Sequence, residues 1–215
     1  MKTYLHSAIL KEIEWSLERG LIDGVITNPT LLNSADRKLG DVVNDILETV
    51  STAPVHIQIV SQTVDEMIAE AKTVSKLAKN VVIKIPMTDE GLLAVRELRL
   101  KGIKTNITPI FSISQALLAA RAGAEYITLF EGIANELGAK EMDIARDIAL
   151  IFRQNQFSTE IVVSSIEDAA EVEALALQDM PSVAVPEKVL VQMYRTPQTD
   201  KGLKKFNDDW DKIPK

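Results

Sequence analysis

Short β-rich runs recur along the chain, and between them apolar positions return every three or four residues. The runs are Thr3–His6, Gly24–Thr27, Val55–Val60, Val81–Ile85, Lys104–Thr108, Tyr126–Phe130, Glu160–Ser164 and Ser182–Val185. Met67, Ile68, Ala71, Val74, Ser75 and Ala78 keep helical spacing, as do Leu92, Val95 and Leu98 after a Thr88-Asp89-Glu90 start. Ala116, Leu117, Ala119 and Ala120 form a small-residue helix that ends at Gly123. Strand alternating with helix predicts βαβ units and a parallel sheet, and the number of repeats predicts a closed (β/α)8 barrel, the TIM-barrel form of the α/β class. A doubly wound open sheet is the competitor. It normally places a glycine-rich phosphate loop after its first strand, and Leu5-His6-Ser7-Ala8-Ile9 supplies none. With no linker or low-complexity stretch, residues 1–215 read as one domain. Asp200–Asp211 adds a C-terminal amphipathic helix with Leu203, Phe206 and Trp210 on one face. A barrel already closed by its own helices leaves that face uncovered, so a neighbouring subunit is expected to pack on it.

One position breaks the apolar pattern where a break is costly. Lys84 lies in Val81-Val82-Ile83-Lys84-Ile85-Pro86, a run apolar enough to be a strand covered on both faces. Burying an unpaired ammonium is unfavourable, and the usual response is a lowered pKa. The neutral amine that results is a nucleophile able to condense with a ketone or aldehyde. The plainer alternative is a lysine that reaches water from the strand end or pairs with a carboxylate.

Composition narrows the setting. Hydrophobic residues make up 46% and charged residues 26% of 215, enough for a sizeable core. The net charge of -7 comes from interspersed charges with no basic stripe, which argues against a nucleic-acid partner. Cysteine is absent, excluding disulfides and thiolate metal sites. With His6 and His56 as the only histidines no metal is expected, although carboxylates alone can hold a hard cation. No run is long enough to cross a bilayer, and Met1–His6 lacks the apolar core of a signal peptide, so no membrane partner and a cytoplasmic location are expected.

In a barrel the C-terminal strand ends face the active site. Polar residues there are His6, Thr27 and Asn28, Gln58, Lys84, Asn106 and Thr108, Thr128, and Ser164 and Ser165. A ring of such groups around one lysine suits a hydroxylated, uncharged portion of a substrate, whereas each taken singly is an ordinary polar strand end.

These motifs resemble the small transaldolase family that includes fructose-6-phosphate aldolase, over essentially the whole chain. The resemblance is carried by Asp23-Gly24-Val25-Ile26-Thr27-Asn28-Pro29-Thr30, by Val82–Thr88 with Glu90-Gly91-Leu92, and by Gly102–Thr108. Phe111-Ser112, Gln115–Ala120, Ala122-Gly123-Ala124 and the tail Arg195–Leu203 with Lys205-Phe206 and Asp208-Asp209-Trp210 extend it. It implies a cofactor-free, metal-free barrel enzyme acting on a small sugar or carbonyl substrate. It also implies a homo-oligomer, pentamer or decamer, with the C-terminal helix on the next subunit. Lys84 matches the Schiff-base lysine. Asn28 and Ser165 match residues that bind hydroxyls of a dihydroxyacetone unit, Thr108 and Gln58 the pair that holds the proton-transfer water, and Asn106 a pocket asparagine.

The departures matter as much. An aspartate that ends the family's first strand is His6 here. Gln58 stands where one branch has a catalytic glutamate, and Phe130 where the other has a tyrosine. Neither an amide nor a phenyl ring transfers protons, which makes His6 the candidate acid/base, with a pure binding role as its alternative. His56 is expected one layer deeper, as a hydrogen-bonded core histidine. The family's phosphate-binding cations are replaced by Ile133 and Glu167, with Glu131 adding charge at the same rim, so weak binding of phosphorylated sugars is expected. Arg195 and Lys104 are the remaining cations that could substitute. The leading function is a class I aldolase or transaldolase that forms a Schiff base on Lys84. A catalytically impaired ring-forming paralogue that binds a small polyol or carbonyl compound is the second reading, and a deoxyribose-phosphate-type aldolase the third.

Overall fold

The computed structural model describes residues 1–34, 37–130 and 141–214. Its strands are β1 (Lys2–His6), β2 (Gly24–Ile26), β3 (Val55–Gln58), β4 (Val81–Pro86), β5 (Thr105–Ile110), β6 (Tyr126–Phe130), β7 (Glu160–Ser164) and β8 (Ser182–Val185). They follow one another in chain order, all parallel, and β8 pairs with β1 to close the barrel. Closure excludes the open doubly wound alternative. The last three strands have the predicted bounds. β3 stops at Gln58 rather than Val60, because the Glu70 carboxylate, not a neighbouring strand, accepts the Val60 and Ser61 N–H groups. β5 runs on to Ile110, past a shift of register against β6.

Around the sheet lie α1 (Leu10–Glu18), α2 (Pro29–Ser34), α3 (Leu39–Thr49), α4 (Val64–Val74), α5 (Asp89–Arg99), α6 (Ile113–Ala122), α7 (Glu141–Gln154), α8 (Ala169–Leu177) and α9 (Glu187–Tyr194). Several start on a side-chain cap just beyond a strand: Thr63 accepts from Glu66 N, Thr88 from Gly91 N, Ser112 from Gln115 N, and Asp168 from Ala170 N and Glu171 N. Each cap typically contributes about 1 kcal/mol, and together they aim helix N-termini at the barrel mouth. α6 ends as predicted at Gly123, whose φ of 95° suits a left-handed C-cap.

Strand alternation divides the core in two. Leu5, Val25, Ile57, Ile83, Ile85, Ile107 and Val163 face outward into the layer beneath the helices. Tyr4, Ile26, Val82, Tyr126, Val162 and Ala184 fill the barrel itself. Above that inner plug, the upper end of the barrel is lined by polar side chains, Lys84, Asn106, Thr108 and Thr128 among them.

The C-terminal helix α10 (Pro197–Trp210) starts three residues before its predicted beginning, because Thr196 caps it through Thr199 N. None of its residues is buried, and Leu203, Phe206 and Trp210 are 55%, 69% and 66% exposed. The expected uncovered apolar face is therefore present.

Candidate active site

Val82 and Lys84 occupy inward positions of β4, and Lys84 is the upper of the two. Its side chain is 2% exposed and donates one hydrogen bond, Nζ to the Thr27 carbonyl oxygen at 2.7 Å. No ion pair joins it to any carboxylate among the described residues. Burial without a counter-charge pushes its pKa down from the ordinary lysine value to about 8. Roughly a tenth of the amine is then neutral at pH 7, against less than one part in a thousand for a free lysine. Among the described residues, the two circumstances that would have disabled this nitrogen, exposure to bulk water and a buried ion pair, are both absent around it.

Thr27 differs from expectation. Its hydroxyl, grouped with the pocket on sequence grounds, is buried and donates to the His56 carbonyl oxygen. What Thr27 offers the pocket is its carbonyl. Strand parity carries the signal: Ile26 and Asn28 face in, so the side chain between them faces out.

Asn28 sits at the start of α2, where its Oδ1 accepts the Leu31 N–H at 2.8 Å. That fixes the amide orientation, so Nδ2 donates to His6 Nε2 at 3.1 Å. His6 is thereby assigned, from its hydrogen-bond network, the tautomer with its proton on Nδ1. Burial, and secondarily the charge of Lys84, lower its pKa to about 4. His6 is a neutral imidazole at pH 7.

Gln58 lies beside Lys84 in the β3–β4 register, and Asn106 beside it in the β4–β5 register. Thr108 is one inward step above Asn106 and is 2% exposed. No hydrogen bond ties the Gln58 amide or the Thr108 hydroxyl to another described residue, so both can serve a ligand. Asn106 is already engaged: its amide donates to Thr128 Oγ1 at 2.8 Å and to His56 Nδ1 at 2.9 Å. Asn106 and Thr128 thus form the floor, less open to substrate than the sequence suggested. Beneath them His56 stands edge-on to Tyr4 and Tyr126, with ring centroids 5.3 and 4.7 Å away. It is one layer deeper, as expected, but not fully satisfied, since its Nε2 is buried without a hydrogen-bond partner. Burial first, then the Lys84 charge, lowers its pKa to about 3, so it stays neutral.

Ser165 follows β7 with φ of 67°, a left-handed conformation that costs a non-glycine residue of order 1 kcal/mol or more and clusters at functional sites. Phe130 closes one side, 6.3 Å from Phe111 between centroids. Glu167 is exposed just beyond Ser165, with its N–H bonded to Glu171. Glu131 and Ile133 lie outside the described residues. Arg195 is exposed after α9, and Lys104 precedes β5, at the opposite end of the barrel from Lys84. No group of three or more potential metal-ligating side chains occurs among the described residues, and no described helix is long and apolar enough to cross a membrane.

Among solved structures, that of KGPDC from Streptococcus mutans superposes with a TM-score of 0.60, covering 99% of this chain and 98% of that one. At 9% identity this likeness concerns the fold alone. The decisive match is to sequence: the family model described as Transaldolase/Fructose-6-phosphate aldolase covers residues 4–215. The chain belongs to the transaldolase/fructose-6-phosphate aldolase family. Relatives of this family include a probable transaldolase of Aquifex aeolicus, 42% identical over all of this chain and 98% of that protein. One from Geotalea uraniireducens is 42% identical and one from Bdellovibrio bacteriovorus 38%, each over the full length of both chains.

Proposed function

We propose that this protein is a class I aldolase or transaldolase that works through a Schiff base on Lys84. The observation that carries the reading is the Lys84 amine itself: 2% exposed, held by one carbonyl and depressed to about 8 by burial. The neutral amine adds to the C2 carbonyl of a ketose, and the carbinolamine loses water to leave an iminium ion. That cation accepts the electron pair of the C3–C4 bond as the C4 hydroxyl gives up its proton. An aldehyde departs and an enamine of the dihydroxyacetone unit stays on Lys84. The enamine then attacks an acceptor aldehyde or is protonated at carbon, and in either case water hydrolyses the resulting iminium ion, releasing the product and freeing the Lys84 amine.

His6 is the residue we assign to the C4 proton. It is partly exposed where His56 is enclosed, and its pKa of about 4 keeps it neutral; its one unprotonated nitrogen, Nε2, takes the proton when Asn28 Nδ2, which donates to it here, turns to a hydroxyl of the donor. Asn28 and Ser165 are placed on the hydroxyls of the donor, and Gln58 with Thr108 on a water molecule or a further hydroxyl. Exposed Glu167 beside Ser165 favours unphosphorylated acceptors by repelling phosphate. The uncovered face of α10 supports a homo-oligomer in which that helix packs on a second copy.

Borohydride reduction in the presence of dihydroxyacetone or fructose, followed by peptide mass mapping, tests the reading. A stable adduct on the peptide containing Lys84 is expected. Failure to trap any ketone there would leave a pocket that binds without turnover and would end the proposal.

A further inference from the structure

The N-terminal end of the barrel carries a basic hollow that the chemistry at the mouth does not use. A cavity of about 470 Å³ opens where β5, β6 and β7 begin, within the size range of small-ligand sites. Arg99, Lys104 and Arg121 line it, with Glu125 as the one carboxylate. A second hollow of about 740 Å³ shares Arg99 and Arg121 and adds Arg96, with Asp89 as its acid. None of these four cations forms an ion pair with a carboxylate among the described residues. Elsewhere the same surface pairs its cations readily: Lys2 with Glu160 at 2.6 Å, Arg37 with Asp45 at 2.7 Å and Lys101 with Glu97 at 3.5 Å. A chain of net charge -7 has acids to spare, so unpaired cations gathered in one concavity stand against its own balance.

The arrangement is also held in place. The Arg99 side chain crosses over Gly123, in the space that any Cβ there would occupy. Arg121 projects from the last turn of α6 and Lys104 stands immediately before β5, both with exposed side chains. Two guanidinium forks and an ammonium around one hollow match a compact anion with several negative oxygens, since each fork takes two of them.

We infer that this hollow is a binding site for a compact multivalent phosphate-type anion, on the face of the barrel opposite Lys84. The site does not depend on the role of Lys84. It gives phosphate a favourable place on a protein whose exposed Glu167 repels it at the mouth.

Thermal unfolding of the full chain with inorganic pyrophosphate, at ionic strength held constant with sodium chloride, tests this. A saturable rise in Tm is expected for the natural protein and for Lys84→Met. In the double variant Arg99→Gln/Arg121→Gln the apparent affinity should fall at least tenfold. Lys104→Gln, a milder change at an exposed position, should weaken it severalfold and serves if the double variant does not fold. A rise no larger than sodium chloride alone produces, or one that survives loss of these cations, would overturn the site.

Discussion

Two lysines at opposite ends of one barrel, Lys84 and Lys2, have been pushed in opposite directions. Lys84 is buried beside a carbonyl, and burial lowers its pKa to about 8. Lys2 is half exposed against Glu160 at 2.6 Å, and the hydrogen bond to that carboxylate raises its pKa. Glu160 also accepts from Tyr4 Oη at 3.1 Å, so the base of the barrel is a closed, charge-balanced polar cluster. Among the described residues, no carboxylate pairs with Lys84 at the mouth. A reactive amine therefore needs more than burial: the surrounding groups must also withhold a counter-charge, and here Gln58, Asn106 and His6 are all neutral where a carboxylate would have favoured the protonated ammonium.

The comparison breaks most sharply at the amine. Lys84→Met should abolish turnover, a loss on the order of 10³-fold or more, while leaving the fold intact. Stability should rise, because a poorly compensated buried cation is replaced by an apolar chain. The sign follows from linkage. Between about 8 and the ordinary lysine value of 10.5 the unfolded chain binds the proton and the folded chain does not, so wild-type stability climbs with pH across that window. The gain from Lys84→Met, up to about 3 kcal/mol, is thus full below pH 8 and vanishes towards pH 10.5. Urea unfolding of both proteins at pH 7 and pH 10 checks it, and a pH-independent difference would refute it.

Making the mouth resemble the base is the next test. Gln58→Glu puts a carboxylate beside Lys84 in the strand register, and should move the midpoint of Lys84 trapping upward by about one pH unit. In the natural protein that midpoint lies near 8, and His6, held at about 4, adds no inflection between pH 5 and 7. An inflection near 6.5 that disappears in His6→Asn would contradict the neutral imidazole. The smallest effects belong to the base itself. Glu160→Gln, which weakens two hydrogen bonds at a mostly buried carboxylate, should cost about 1–2 kcal/mol without altering turnover. Lys2→Met, at a half-exposed partner, should cost less than about 1 kcal/mol, measured by the same unfolding curves.

Much of this was legible along the chain. Period-two and period-3.6 patterning placed every strand of the barrel and the exposed face of α10, and a cation inside Val81–Pro86 was visible as an anomaly needing an explanation. Other features depend on partners remote in sequence. Asn28 reads as a pocket residue, yet only its bond to Leu31 N fixes which end of the amide meets His6. Thr27 contributes through a backbone oxygen, which residue identity does not encode. His56 acquires its unpartnered nitrogen from Tyr4 and Tyr126, fifty or more residues away along the chain, and Arg99 meets Gly123 only because α5 and α6 are neighbours around the barrel.

Local spacing and the cost of burying charge were enough to establish the alternation, the closed parallel sheet and the identity of the one amine set among apolar neighbours. What that amine meets came only with the folded barrel. Whether a buried lysine is a protonated half of an ion pair or a nucleophile depends on groups brought within a few ångströms by other strands, and electrostatic interaction falls off too steeply with distance for chain position to stand in for geometry.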